Sequence, residues 1–242
     1  KGTFPAGTPA RILLQEAYDL GDIVRAGLST ESTEGLLMSS GMVKVSARNS
    51  TTGAELQALL PWTLEVPRLY PELPGALYRG RDDAGTVMWE PVPMDFQVGQ
   101  DAGGGIFGES MEMIVEGTAY RFALKDWGWY NVDWEYRPED TAGMSVVQGE
   151  HLNQVLVIAP ARRVVLREWL WYEDGTEQKL DLAQFGKGED LVVIGLGDVA
   201  AGSSRIYYSM ASVQAAEGLV LTLPAGTMVE KSQFAKVLSG LD

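Results

Sequence analysis

The chain reads as an all-β protein of two β-sandwich-like domains, with a short helix near its N-terminus and a second helix at its C-terminus. Three observations predict this. Short runs rich in Val, Ile, Tyr, Trp and Thr recur roughly every ten residues. Turn residues bound each run, and no strand–helix alternation of the kind that builds parallel sheets is visible. Helical periodicity is confined to two segments.

The strand-like runs are Ala10–Glu16, Met42–Arg48, Leu64–Val66, Thr86–Glu90, Met111–Glu116 and Tyr120–Leu124, then Gln154–Ala159, Val164–Tyr172, Leu191–Gly195, Arg205–Met210 and Leu219–Leu223. Asn49–Gly53 is expected to turn Met42–Arg48 back into Glu55–Leu59. Asp83-Ala84-Gly85 and Asp174-Gly175 mark further hairpins. The first helix spans Asp19–Ala26, with Asp19 as N-cap, Asp22 in its first turn and Gly27 as its stop. The second spans Glu230–Leu241, where Phe234, Val237, Leu238 and Leu241 share one face. Between Pro91 and Glu109 the chain is Gly-rich and weakly periodic, which predicts a loop or linker. A domain cut near 115/116 follows, giving domains 1–115 and 116–242. In Val164–Tyr172 both alternating faces are apolar, so this strand is expected to be central or to meet a second layer.

Composition narrows the function classes. With 242 residues, 45% of them hydrophobic, the chain can bury its own cores. A formal charge of −14, from 33 acidic against 19 basic residues, opposes nucleic acid and anionic membranes. The longest basic cluster is Arg162-Arg163 with Arg167. There is no cysteine, which removes disulfides, thiol catalysis and thiolate metal sites. The single histidine, His151, excludes a zinc site that needs several imidazoles and leaves a serine triad one base at most. No cofactor is expected. No apolar run reaches membrane-spanning length. The sequence opens at Lys1-Gly2-Thr3-Phe4-Pro5, a start that a trimmed signal or lipid anchor would leave, so the missing targeting signal carries no weight.

Several segments taken together carry a resemblance. Gly2-Thr3 and Pro5 precede Ile12-Leu13-Leu14-Gln15-Glu16, Tyr18-Asp19 and Asp22-Ile23-Val24. Gly41 through Ala47, Leu64-Glu65-Val66-Pro67, Leu77-Tyr78-Arg79-Gly80 and Gly85 through Trp89 follow. Tyr120-Arg121-Phe122 then leads into Trp127-Gly128-Trp129-Tyr130-Asn131-Val132-Asp133. This order resembles secreted or surface proteins of Bacteroidota-type bacteria. In those, a ZU5-like β-sandwich precedes a Gly-Trp-x-Asn-x-Asp segment and a further β domain. Many relatives carry Cys where this chain has Val132, and the opening is short for a full ZU5-like unit. The resemblance implies an extracellular or cell-surface scaffold or adhesion module, and it brings no catalytic residues with it.

The most unusual stretch is Asp126–Asp140, which holds Trp127, Trp129, Tyr130, Asn131, Asp133, Trp134 and Tyr136. One reading is a carbohydrate-binding face, with rings stacked on sugar C–H surfaces and Asn131 and the carboxylates taking hydroxyl bonds. The other is that alternate residues of a strand point inward, making the tryptophans core rings. Asp126, Asn131, Asp133 and Glu135 are hard oxygen donors suited to Ca²⁺, but their spacing is not that of an EF-hand. A glycosidase pair is the third option, since Asp133 and Glu135 share a strand face about 6–7 Å apart. His151 lacks a recognisable nucleophile partner, and no Gly-x-Ser-x-Gly elbow exists. Gly195-Leu196-Gly197-Asp198 and Gly103-Gly104-Gly105 lack the residues that complete a phosphate loop. The expectation is therefore a non-enzymatic extracellular module that binds another surface or assembly protein or serves structurally. Polysaccharide binding through residues 126–140 is the alternative, and a carboxylate glycoside hydrolase stands third.

Overall fold

The computed structural model describes residues 3–68, 75–83, 86–97, 111–116, 119–169 and 179–241. In chain order its first elements are β1 (Ala10–Ala17), α1 (Leu20–Arg25), β2 (Glu31–Ser32), β3 (Gly35–Asn49), β4 (Trp62–Pro67), β5 (Ala76–Asp83), β6 (Thr86–Pro91), β7 (Met94–Gln97), β8 (Met111–Glu116) and β9 (Ala119–Leu124). There follow β10 (Gly128–Glu135), β11 (Met144–Val147), β12 (Gln154–Ala159), β13 (Val164–Trp169), β14 (Lys179–Leu182), β15 (Asp190–Asp198), β16 (Arg205–Gln214), β17 (Val220–Thr222), β18 (Thr227–Glu230) and α2 (Lys231–Leu238). The chain is all-β, and among the described residues it has two α-helices, one of them C-terminal. Among the described residues no helix is long and apolar enough to cross a membrane.

The chain divides into two units that interleave in sequence. One comprises Lys1–Tyr18 and Ser40–Trp134, the other Asp19–Ser39 and Glu135–Asp242. The single cut expected near 115/116 is therefore corrected. Residues after 118 pair back into the first unit, because β9 is the partner of β4 and β10 the partner of β5. Residues 19–39 go to the second unit, where Thr30 bonds to Val165. The chain changes unit within β3 and again within β10.

In the first unit, β1, β3, β10, β5 and β6 lie side by side in that order, and a second sheet runs β4-β9-β8-β7. The alternation of β9 shows why they pack. Tyr120, Phe122 and Leu124 are 1%, 0% and 0% exposed, while Ala119, Arg121 and Ala123 are not buried. Across the ladder, Phe122 meets Leu64 and Tyr120 meets Val66. These residues close on Val43, Val45, Leu77, Tyr130 and Val132 from the first sheet. Each such side chain contributes about 1.5–3 kcal/mol relative to exposure. The expected turn at Asn49 forms as read: the Asn49 side-chain oxygen accepts from Thr51 N–H (2.9 Å) and Thr52 N–H (3.1 Å), and Arg48 bridges to Glu55.

In the second unit the sheet β13-β12-β15-β16-β18 packs against β14-β11-β17. β12 is buried at every position, from Gln154 to Ala159. Its Val155, Val157 and Ala159 join Val164, Leu166, Val193, Met144, Val146 and Leu182 in the core between the sheets. β13 stands at an edge of its sheet, and both of its faces are engaged from Val164 to Arg167, while Trp169 is 47% exposed. Its second face meets α1, where the Arg167 guanidinium donates to Val24 O at 3.1 Å. α1 begins at the Asp19 cap, whose carboxylate accepts from Asp22 N–H at 2.5 Å. It ends at Gly27, with φ of 74°. The tail helix is Lys231–Leu238, shorter than read, capped by reciprocal bonds between Glu230 and Gln233. Its Phe234 ring contacts Tyr208 of β16 at 5.4 Å. The Ala84-Gly85 turn, the Gly103–Gly105 run, most of the Gly-rich linker, and Trp171, Tyr172 and Asp174-Gly175 fall outside the described residues.

Candidate functional site

The Trp-rich stretch becomes β10, and its alternation decides what each side chain can do. Tyr130 and Val132 face the core between the two sheets of the first unit. Trp129, Asn131 and Asp133 take the opposite face, as does Tyr78, which is directly opposite Asn131. That face is interior too. Trp129 is 7% exposed, Asn131 1% and Asp133 0%, and Trp134 on the other face is 8%. Gly80 explains how two indoles fit there. A Cβ on it would stand 2.8 Å from the Trp129 Cβ and 3.2 Å from the Trp89 ring, so only glycine leaves room. Lys44 lies over the Trp129 ring at 5.6 Å.

Asn131, Asp133, Tyr130 and Trp127 are each bonded within the fold. The Asp133 carboxylate accepts from Ser40 N–H at 3.0 Å and from the Asn131 amide. The Ser40 hydroxyl donates to Val132 O. Tyr130 donates to Asp126 O at 2.8 Å, and burial pushes its hydroxyl up to about 12. Trp127 is half-buried. Its indole N–H donates to Leu56 O at 2.6 Å, and its ring stacks on Trp62 at 4.9 Å and on Phe4 at 6.1 Å.

The residues named from the sequence therefore do not converge on one open face. Asp126 is exposed and pairs with Arg79 at 2.8 Å, and Glu135 pairs with Arg137. Asp133 is enclosed, so the Asp133/Glu135 pair has one carboxylate out of reach of a substrate. The oxygen donors considered for Ca²⁺ are split likewise. Among the described residues no group of three or more His, Asp or Glu side chains is placed to hold a cation. His151 takes a left-handed backbone with φ of 66° and stacks on Tyr207 at 4.8 Å. Its carbonyl oxygen would lie 1.7 Å from a Cβ on Gly197, so that glycine serves a close backbone approach inside β15.

Tyr136 stands apart in the second unit. Its hydroxyl donates to Glu189 and accepts from Gly186 N–H at 2.9 Å. Burial, reinforced by Glu189, pushes the phenol far above its ordinary range, so it stays protonated. Glu189 also accepts from Gly186 N–H at 3.2 Å and faces Arg162 at 3.8 Å. These groups line an open cleft of about 810 Å³ together with Met38, Arg137 and Lys187. The cleft has mixed charge, and its central acid is already engaged by its neighbours.

Two acids escaped the sequence reading. Burial raises both Glu31 and Glu168 above the usual carboxylate range, and Glu168 adds to the shift of Glu31. Neither lies in a motif, and only the return of β2 toward β13 brings them into one another's field. Compared with known proteins, the chain matches no family model, no curated protein and no solved structure.

Proposed function

We propose that this protein is a non-enzymatic module of the cell exterior that binds another protein or holds a structural place in a larger assembly. The observation that carries the reading is the burial of β10. The side chains best suited to catalysis or sugar stacking are interior, with Trp129, Asn131, Asp133 and Trp134 all under 10% exposed and Asn131 bonded to Asp133. A glycosidase needs both carboxylates open to the same bond, and a sugar platform needs rings open to solvent. The exterior location rests on the resemblance to surface proteins and on an acidic composition that favours solubility.

The test uses the purified full chain as bait against intact native cell surfaces, read by mass spectrometry, beside a polysaccharide gel-shift panel. The reading expects a saturable protein partner and no retardation by any glycan. Retardation by one glycan, abolished by a variant at the half-buried Trp127, would overturn it in favour of carbohydrate binding.

A further inference from the structure

We propose that β1 is a docking edge for an extended peptide strand in which apolar and acidic side chains alternate. This rests on the protein-binding reading above and names the partner's chemistry.

The backbone supplies the first argument. Among the described residues β1 has β3 as its neighbour on one side and none on the other. Ser50 N–H donates to Pro9 O at 2.8 Å, one step beyond the Ala10–Asn49 pair. In an antiparallel ladder that bond fixes the phase. Arg11, Leu13 and Gln15 bond inward to β3, and Ala10, Ile12, Leu14 and Glu16 turn their N–H and C=O groups to the open edge.

The side chains supply the second. Ile12 and Leu14 lie opposite Ala47 and Val45, on the face that carries the core. Val45 is 4% exposed and Ala47 0%, yet Ile12 is 52% and Leu14 58% exposed. The core thus stops one strand short of the sheet's edge. An added strand would cover these two apolar residues as it bonds to their backbone.

Charge selects the occupant. On the other face Arg11 stands directly opposite Arg48, and Lys44 opposite Gln15. Lys44 and Arg48 line a groove of about 480 Å³ with Leu13, Leu14 and Glu55. Cations outnumber acids there, in a chain whose formal charge is −14. A second copy paired antiparallel about Leu13 would match Ile12 to Leu14. It would also gather two sets of Arg11, Arg48 and Lys44 on one face. In that register Arg11 faces Gln15 of the other copy, so no acid answers the added cations. A strand with acids on that face and apolar residues on the other satisfies both faces at once.

The probe is a labelled peptide of eight residues alternating Glu and Val, compared with its Lys–Val counterpart, against the full chain. The Glu–Val peptide is expected to bind and to weaken with salt, while the Lys–Val peptide does not bind. Hydrogen exchange at Ile12 and Leu14 is expected to slow on binding, with no change at Leu13. The double variant Arg11→Glu/Arg48→Glu should lose at least about tenfold in affinity, since about 1.4 kcal/mol of lost pairing corresponds to that factor. Leu14→Pro removes an outward N–H without touching a bond to β3, and it should abolish binding while circular dichroism stays that of the parent. The proposal fails if the folded parent ignores the Glu–Val peptide, or if charge reversal leaves binding intact. It fails also if the same amides are protected by self-association, seen as a mass that rises with concentration. Cell-surface capture repeated with the Arg11→Glu/Arg48→Glu bait separates the two claims. The same partner on both baits sinks the docking edge alone, and no partner on either sinks the protein-binding reading with it.

Discussion

Replacing Asp133 with Ala tests whether β10 is structural or chemical. The carboxylate is 0% exposed and accepts hydrogen bonds from Ser40 N–H and the Asn131 amide. Its removal leaves two buried donors short of an acceptor. Each such orphan costs about 1–3 kcal/mol, so Asp133→Ala should destabilise the protein by about 2–6 kcal/mol. With a urea dependence of about 2 kcal/mol per molar, the unfolding midpoint falls by about 1–3 M. Asp133→Asn keeps an oxygen for Ser40 but sets an amide against the Asn131 amide, so its loss should be the smaller of the two. The assay is urea unfolding followed by tryptophan fluorescence, which reports on Trp129 beside the substitution. An Asp133→Ala variant that unfolds at the parental urea concentration would refute the reasoning, since a solvated catalytic carboxylate can be lost without cost to stability.

Other consequences follow from local geometry. Gly41 holds φ at 119°, and a Cβ there would lie 2.4 Å from the Tyr18 ring, so Gly41→Ala should cost about 2 kcal/mol or more in chemical unfolding. Arg167 is half-buried, with desolvation bringing its guanidinium down to about 10, and it donates to Gln154 Oε1 (2.6 Å) and Val24 O (3.1 Å). Arg167→Ala should therefore cost about 2–4 kcal/mol, and a parental melting temperature would contradict that. Glu168 has a folded pKa above its ordinary 4.5, with burial as the cause. Such a group favours folding fully below its unfolded pKa, and the contribution is lost as pH rises through the folded value. Glu168→Gln should thus melt higher than the parent at pH 7, with the gap closing near pH 3.5, and an equal gap at both pH values would sink this assignment.

Strands written as short apolar or alternating runs between turn residues were legible in the sequence. Gln154–Ala159 and Met111–Glu116 form as read, and Tyr120–Leu124 lengthens by one residue at its start. So was Asp19 as a cap, because a short acceptor before an apolar run has few other uses. The first half of β3 was not, since Leu-Leu-Met-Ser-Ser carries no period of two and its buried serines look like turn residues. The interleaving of the units was hidden for a different reason. Pairing of β1 with β3 spans residues that fold elsewhere, and local periodicity holds no information on which distant strand is the partner. For the candidate site, the inward reading of the tryptophans was available from the strand pattern alone. The open edge of β1 was not, because an edge strand and an internal strand of the same composition look alike until their neighbours are known.

Oxidative footprinting of tryptophan, read residue by residue by mass spectrometry on the native chain, shows whether the aromatic stretch is interior. Trp169 is 47% exposed, while Trp89, Trp129 and Trp134 are 0%, 7% and 8%. Trp169 should be oxidised first, with Trp89, Trp129 and Trp134 protected until the protein unfolds. Oxidation of Trp129 and Trp134 as fast as Trp169 in the folded protein would contradict the account and return β10 to the surface as a binding face.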